Sequence, residues 1–215
     1  MPGKNTIKTY VENGYYHIYN RGVEKRRIFE ESEDYKKFLR YLKVYLSPVD
    51  VLRREDPLIR ANLIGANLAE QLDLLAYCLM PNHFHLLVKQ KTKNAITKLM
   101  RQVQTAYAMY FNKKYERVGP LFQGIYKACL VDKEDYLLHL SRYIHQNPKE
   151  RGISLSDFPW SSYNAYLGEN SRQEWLKTKE ILGYFNAQKP NFSYQNFVEE
   201  KEPDNSKIQA LTLEA

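Results

Sequence analysis

The chain of 215 residues contains 32 Lys or Arg against 25 Asp or Glu, so its formal net charge at pH 7 is +7. This length allows one substantial domain with an extension, and a core that needs no disulfide to hold it together. A basic balance favours an anionic partner such as nucleic acid. Cys78 and Cys129 lie within apolar runs, which argues against a disulfide framework or a cysteine zinc site.

The sequence offers no means of entering a membrane. No apolar run approaches the ~18 residues that a membrane span needs. The N-terminal stretch MPGKNTIKTY also lacks the apolar core of a signal peptide. We therefore expect a cytoplasmic protein with no membrane partner.

The first quarter of the chain predicts an arm, a strand and a helix. Residues 1–12 are polar and predict a flexible arm. The stretch GYYHIYNRG at residues 14–22 alternates in polarity and predicts a strand. A helix follows from a cap at Ser32 through SEDYKKFLRYLKVYL, and residues 49–71 form a charged, weakly helical connector.

The middle of the chain predicts a hairpin between helices. LDLLAYCLM and HFHLLVKQ are strands joined by a Pro-Asn turn. A helix capped by Asn94 comes next, and PLFQGIYKACLV predicts a further strand. The stretch KEDYLLHLSRYIHQN then predicts a helix that Pro148 stops.

This order of elements predicts an α+β fold, with a ferredoxin-like antiparallel sheet and helices on one face. We expect it to span residues 13–152. Residues 153–198 predict a C-terminal extension of turns and short helices, and residues 199–215 predict a disordered acidic tail.

Positive charge is concentrated in residues 91–130, which hold eight basic residues and one acidic residue. Such a run is often a solvated helix face, but it also suits contacts with phosphates. Tyr107 and Tyr110 could stack on bases, although we favour a place in the core for both. The candidate DNA-binding residues are Arg21, Lys98, Arg101, Lys113, Lys114, Arg117 and Lys127.

Two histidines interrupt the apolar hairpin strand at PNHFHLLV. Side chains two apart on a strand share a face, so His83 and His85 project together while Phe84 points into the core. Two imidazoles in this position could converge on a divalent metal, or could simply hydrogen-bond at a sheet edge. Leu87 stands where a histidine-triad hydrolase would have a third histidine.

A second motif, SRYIHQNPKERG, places Tyr143 and Asn147 four residues apart on one helix face. Each residue alone has an ordinary explanation, core packing for the tyrosine and a helix end for the asparagine. Tyr136 continues the same stripe and is the alternative if the helix register differs.

Taken together, five segments resemble the single-tyrosine HUH transposases of the IS200-like superfamily, especially the REP-associated tyrosine transposases. The segments are YHIYNRG, CLMPNHFHLLV, FNKKYERVGPLFQGIYKACLV, EDYLLHLSRYIHQNP and FPWSSYNAYLG, which lie in the same order over roughly residues 10–168. One departure is Ile125, where members often carry a basic residue, and Lys127 is a possible substitute.

The resemblance implies the HUH endonuclease fold and a set of functional residues. His83 and His85 match the metal ligands, Tyr143 matches the nucleophile, and Asn147 matches a third ligand with a side-chain oxygen. Gln146 and His139 are alternative third ligands. The implied cofactor is Mg²⁺ or Mn²⁺.

The implied activity is cleavage and rejoining of single-stranded or hairpin DNA through a 5′-phosphotyrosine intermediate. We accordingly expect a nucleoid-associated transposase, as a monomer or a homodimer. Two other functions stay open: a catalytically silent nucleic-acid-binding protein on the same scaffold, and a rolling-circle replication initiator.

Overall fold

The computed structural model describes residues 8–168, 173–186, 188–189 and 192–200. Four strands form one sheet in the order β2-β3-β1-β4, and every neighbouring pair is antiparallel. The strands are β1 (Gly14–Arg21), β2 (Leu72–Met80), β3 (His83–Gln90) and β4 (Lys127–Val131). This is the order of the ferredoxin-like fold, so the predicted fold class is confirmed.

The fourth strand is shorter than the sequence pattern predicts. Regular pairing with β1 begins only at Lys127. Gly119 and Gly124 before it have positive φ values of 90° and 69°, which an ordinary strand residue does not adopt. The stretch before β4 is therefore an irregular loop with one isolated bridge, between Phe122 and Gly22.

The helices cover both faces of the sheet rather than one. On the first face, α1 (Ser32–Leu46) and α4 (Ala95–Lys114) share a core with Ile18 and Phe84. On the second face, α5 (Glu134–Gln146) packs with Leu87 and Val131. The physical reason is visible in β2, where seven consecutive residues are buried, because a strand that is apolar on both sides requires cover on both sides.

The first helix begins at Ser32 as expected, but its cap is the preceding residue. Glu31 and Asp34 form a reciprocal capping box. The fully buried Asp34 accepts hydrogen bonds from the backbone of Glu30 and Glu31, from the hydroxyls of Tyr110 and Tyr115, and from Lys114. Burial alone would raise the pKa of Asp34, but these hydrogen bonds hold it below its usual value.

The predicted arm and connector contain more structure than their composition suggests. Within the arm, the Tyr10 hydroxyl lies 2.7 Å from the hydroxyl of Tyr126, while residues 1–7 lie outside the described residues. The connector holds two short helices, α2 (Val49–Glu55) and α3 (Ala61–Gly65). Leu68, just after α3, is buried in the first core.

The C-terminal extension closes the edge of the sheet at β2. The amide of Leu79 donates to the carbonyl of Trp160, and the amide of Ser162 donates to that of Tyr77. Three short helices follow: α6 (Tyr163–Tyr166), α7 (Lys179–Leu182) and α8 (Tyr194–Glu199). Among the described residues, these contacts occupy part of the outer edge of β2, which makes pairing with another chain less favourable there.

The last helix, α8, lies against α5. Gln146 Nε2 donates to the carbonyl of Val198 at 2.6 Å, and the guanidinium of Arg142 stacks 4.5 Å from the ring centre of Phe197. Of the predicted tail, Glu199 belongs to α8, and residues 201–215 lie outside the described residues. No helix among the described residues is long and apolar enough to cross a membrane.

Replacing Asp34 should test how far the fold depends on this buried carboxylate. We expect Asp34→Ala to lower the free energy of unfolding by about 3 kcal/mol, because the ammonium of Lys114 and several donors lose a buried partner. Urea denaturation measures the change. The exposed Asp157 provides the control, and Asp157→Ala should cost less than about 0.5 kcal/mol. Equal losses in the two variants would contradict the assignment.

Candidate active site

The two histidines of the hairpin lie at the start of β3, next to the turn that joins it to β2. Their rings are 4.9 Å apart between centres and nearly perpendicular, at 85°. His85 is fully buried, whereas His83 is partly exposed. Phe84 between them points into the first core, as predicted. The pair therefore faces α5 from the second face of the sheet.

The hydrogen bonds of His83 define which ring nitrogen carries the proton. Nδ1 lies 2.8 Å from Oδ1 of Asn82, and the amide nitrogen of Asn82 donates to the carbonyl of Lys25. Because Oδ1 can only accept, Nδ1 is the donor and Nε2 is left with a lone pair. Burial lowers the pKa of His83 to about 4, so the ring is neutral at pH 7.

Asn147 presents a second acceptor to this lone pair. Its Nδ2 donates to the carbonyl of Tyr143 at 2.9 Å and to that of Ile144 at 3.4 Å. The amide oxygen is thereby turned toward His83, with 3.3 Å between Oδ1 and Nε2. Two acceptors facing each other at this distance lack a proton to share, and a cation would satisfy both.

His85 is held by a third histidine, His17 of β1. Nδ1 of His85 lies 2.9 Å from Nε2 of His17, and both residues are fully buried. Nε2 of His85 is buried and makes no hydrogen bond within the described part of the chain. Burial, reinforced by the neighbouring His83 and His17, lowers the pKa of His85. If His85 donates to His17 through Nδ1, its Nε2 becomes a third acceptor at the site.

The predicted nucleophile lies directly over these rings. The ring centre of Tyr143 is 5.5 Å from that of His85 and 6.1 Å from that of His17, and its exposed fraction is 5%. The hydrogen bond from Nδ2 of Asn147 to the carbonyl of Tyr143 fixes the orientation of the Asn147 amide relative to the helical turn that carries Tyr143. The last turn of α5 and the residue that follows it thus position both groups.

The other candidates on α5 point elsewhere. Gln146 is engaged with Val198, and Nδ1 of His139 lies 2.9 Å from the guanidinium of Arg142, beside α8. Tyr136 lies two turns before Tyr143, under the ammonium of Lys133. The arrangement therefore favours Asn147 as third ligand and Tyr143 as nucleophile among the residues that the sequence left open.

Several cations surround the histidines. Arg21 of β1 pairs with His83 across the sheet, and Lys127 of β4 pairs with Tyr19, whose ring lies 6.1 Å from that of His85. Burial is the main cause of the low pKa of His83, and the positive charges of Arg151 and Arg21 lower this pKa further. These cations would attract a phosphate to this end of the sheet.

The basic residues of α4 do not join this cluster, because α4 covers the opposite face of the sheet. Lys98 donates to Gln71 near the far end of β3, and Lys114 is engaged with Asp34 and Glu31. Arg117 donates to Asn112 of the same helix end. Arg101 and Lys113 are exposed on α4.

The tyrosines of α4 serve the fold, as the sequence analysis favoured. Tyr107 is fully buried, and its hydroxyl donates to the carbonyl of Ile28. Tyr110 is half-buried and donates to Asp34. Both hydroxyls are therefore engaged within the fold.

Sequence reasoning missed three residues at the site: His17, Asn82 and Arg151. His17 could have been found, because the strand order places β1 beside β3 and its odd-numbered residues share the face of His85. Asn82 looked like a turn residue only. Arg151 ends a short 3-10 segment, Asn147–Arg151, that brings it near His83. No periodicity in the sequence predicts this position.

A separate polar network lies inside the second core. Nδ1 of His145 is 2.7 Å from the hydroxyl of Tyr194, and Nε2 is 2.7 Å from that of Ser162. Ser162 also receives the amide of Tyr77, so the network joins α5, α8 and β2. Burial lowers the pKa of His145 to about 3. This network fixes the C-terminal half of α5, which carries Tyr143 and is followed directly by Asn147.

Within the described ranges, no three His, Cys, Asp or Glu side chains converge in a metal-binding arrangement. The two ring nitrogens and the amide oxygen of Asn147 are a different donor set, because an amide is not among those residue types. A metal held here would have to take its remaining ligands from water or phosphate.

Comparison with known proteins indicates a family for part of the chain. Residues 53–147 match the family described as "Transposase IS200 like", a segment that includes His83, His85, Tyr143 and Asn147. This segment of the chain is similar to the IS200-like transposase family, and this match confirms the resemblance drawn from the sequence. No match was found among curated proteins.

Solved structures provide two further likenesses. A REP-associated tyrosine transposase bound to a REP hairpin is similar with a TM-score of 0.49 and 13% identity, over 75% of this chain and 84% of that one. A protein described as a transposase from Deinococcus radiodurans R1 gives a TM-score of 0.38 and 16% identity, over 66% of this chain and 95% of that one.

Acid should destabilise the metal-free protein partly through His145. Because its pKa is lower in the folded chain than the ordinary 6.5, the unfolded chain binds the proton more tightly, and stability is lost as the pH falls from about 6.5 toward 3. His145→Gln should reduce the slope of unfolding free energy against pH by about one proton, ~1.4 kcal/mol per pH unit. Urea denaturation in EDTA between pH 4 and 6 measures it.

Between pH 7 and 8 the same two proteins provide the internal control. Their slopes should agree there, since the imidazole is neutral in both the folded and the unfolded chain. Equal slopes at pH 4–6 as well would mean that His145 titrates normally when folded.

Proposed function

We propose that this chain is a metal-dependent transposase that nicks and rejoins single-stranded DNA through a 5′-phosphotyrosine intermediate. One observation carries the proposal: the acceptors Nε2 of His83 and Oδ1 of Asn147 face each other at 3.3 Å, beside the buried Nε2 of His85 and beneath Tyr143. The match of residues 53–147 to the family described as "Transposase IS200 like" supports the same reaction class.

The donor set suits a divalent cation. His83, His85 and Asn147 would hold it, and two nitrogens with one oxygen are compatible with Mg²⁺ or Mn²⁺, with Mn²⁺ better matched to imidazole. When bound, such a cation would polarise the scissile phosphate and offset the charge of the transition state.

The chain's own residues perform the rest of the chemistry. The Tyr143 hydroxyl attacks phosphorus, a bond forms between its oxygen and phosphorus, and the bond from phosphorus to the 3′-oxygen breaks. The phenol loses one proton and the 3′-oxygen gains one, so the proton balance is zero. One phosphodiester replaces another, and rejoining therefore needs no nucleotide cofactor.

The charges around the site suit this substrate. Arg21 and Arg151 lie close enough to His83 to lower its pKa, and Lys127 shares its sheet face. They would bind phosphates on either side of the scissile bond. Hairpin-forming single strands are the first substrates to test, because the resemblance over five segments implies them.

One chain supplies the complete set of side chains, since α5 lies on the sheet of its own chain. The proposed chemistry therefore needs no second copy, and a monomer and a homodimer are both compatible with it. We propose that the protein acts at the nucleoid of the cytoplasm.

The nucleophile can be tested directly. Incubation with Mn²⁺ and hairpin oligonucleotides from DNA flanking the gene should yield a covalent protein–DNA adduct that survives denaturing electrophoresis. Tyr143→Phe should reduce the adduct by at least about 10³-fold, because the attacking oxygen is removed.

Tyr136→Phe is the matched control on the same helix and should retain the adduct. DNA binding without an adduct in any wild-type reaction would favour the catalytically silent binding protein. An adduct that persists in Tyr143→Phe would move the nucleophile to another tyrosine.

His17 should act as a positioning residue for the metal through His85. His17→Phe removes the acceptor for Nδ1–H, and we expect the dissociation constant for Mn²⁺ to rise about tenfold to a hundredfold. Calorimetric titration with MnCl2 in the absence of DNA measures it.

His17→Gln retains an oxygen that can accept this hydrogen bond, so its affinity should stay within roughly threefold of wild type. Thermal unfolding of both variants controls for folding. Equal Mn²⁺ affinity in His17→Phe and wild type would show that the hydrogen bond does not orient the ligand.

A further inference from the structure

A groove of about 600 Å³ opens between α4 and the loop before β4, on the opposite side of the sheet from Tyr143. Its floor and walls combine apolar groups with side-chain amides. The lining includes Ala108, Met109 and Phe122 together with Gln104, Asn112 and Gln123. No carboxylate is among the lining residues.

The apolar part of this region is unusually exposed. Met109 in the groove has an exposed fraction of 69%. Near the lining residues Pro120 and Gly124 in the sequence, Val118 is 94% exposed and Ile125 is 63% exposed. Ile125 is the position at which the resemblance would favour a basic residue. Apolar groups gathered at one surface site are typical of a place where a partner binds.

The rim of the groove is basic, and two of its arginines donate hydrogen bonds to residues that line the groove. Nε of Arg21 donates to Oε1 of Gln123 at 2.5 Å, and the guanidinium of Arg117 donates to Oδ1 of Asn112 at 3.0 Å. The exposed Arg101 lies one turn before Thr105, which also lines the groove. Nε2 of Gln104 is buried and makes no hydrogen bond among the described residues. Apolar walls, amides and a cationic rim together match the faces, edges and phosphates of unpaired nucleotides.

The groove also connects to the catalytic end of the sheet. Arg21 pairs with His83, and the next residues join the groove loop: Gly22 bridges to Phe122, and the amide of Val23 donates to Leu121. A single strand of DNA that runs from the histidines past Arg21 would therefore reach the groove.

We propose that this groove binds unpaired deoxynucleotides that flank the scissile phosphate. Unpaired nucleotides suit the groove better than a double helix, because the faces of paired bases are hidden in the stack, whereas unpaired bases expose theirs to apolar side chains. The groove extends the proposed function, since it names where the single strand runs beyond the active site.

The test compares Met109→Gln with Leu58→Gln by fluorescence anisotropy. Both positions are exposed apolar side chains, at 69% and 91%, and both substitutions leave the charge unchanged. The probes are one DNA hairpin without arms and the same hairpin with single-stranded arms of two to ten nucleotides on its 5′ or 3′ side.

With wild type and Leu58→Gln, affinity should rise with arm length on one side of the hairpin. Met109→Gln should bind the longer-armed probe about fivefold more weakly, the loss expected when one stacked base is released, and should bind the armless hairpin normally.

Equal binding of the armed probe by Met109→Gln and wild type would overturn the proposal. So would an equal weakening for armed and armless probes, or a change of oligomeric state in light scattering, which would assign the surface to a second copy of the chain. Failure of the proposed function is distinguishable: wild type would then form no adduct, while the arm-length dependence and its loss in Met109→Gln could still be measured.

Discussion

The structure depends on burying the β2–β3 hairpin from both sides. Seven consecutive residues of β2 are buried, and Leu87 of β3 lies in a different core from its neighbour Phe84. A strand of this kind cannot leave one face in water, so the second face has to be covered by α5. The need to cover the sheet therefore places Tyr143 over the histidines, and the hydrogen bonds of His145 and Asn147 then fix this part of the chain.

Burial then decides the state of the site. Imidazoles removed from water are neutral at pH 7, and His83, whose N–H is engaged with Asn82, presents the lone pair of Nε2. His85 presents a lone pair in the same way if it donates to His17. Asn147 adds a third acceptor because its nitrogen is committed to the carbonyls of Tyr143 and Ile144. The resulting gathering of acceptors, with Arg21 and Arg151 nearby, is electrostatically suited to a cation bridged to a phosphate.

Much of this could be predicted from the sequence, because it rests on local periodicity. The hairpin, the shared face of His83 and His85, and the spacing of Tyr143 and Asn147 all follow from repeats of two and four residues. The rest could not be predicted in this way, because it depends on which elements become neighbours in the fold. This applies to the second helical layer and to the positions of His17 and Arg151 at the site. Prediction failed at Lys114 for the same reason. Its charge suggested a contact with DNA, but its ammonium donates to Asp34, which lies 80 residues earlier in the sequence.

The two basic regions of the molecule are divided by the sheet. Arg21 and Arg151 lie near His83, where α5 covers the second face, whereas Arg101, Lys113 and Arg117 belong to the first face with α4. Lys98 and Lys113 are separated by fifteen residues of helix, about 22 Å. A single strand of DNA that contacts both basic regions has to pass around the end of β1. Arg21 is the residue at that corner, because it pairs with His83 and donates to Gln123 of the groove.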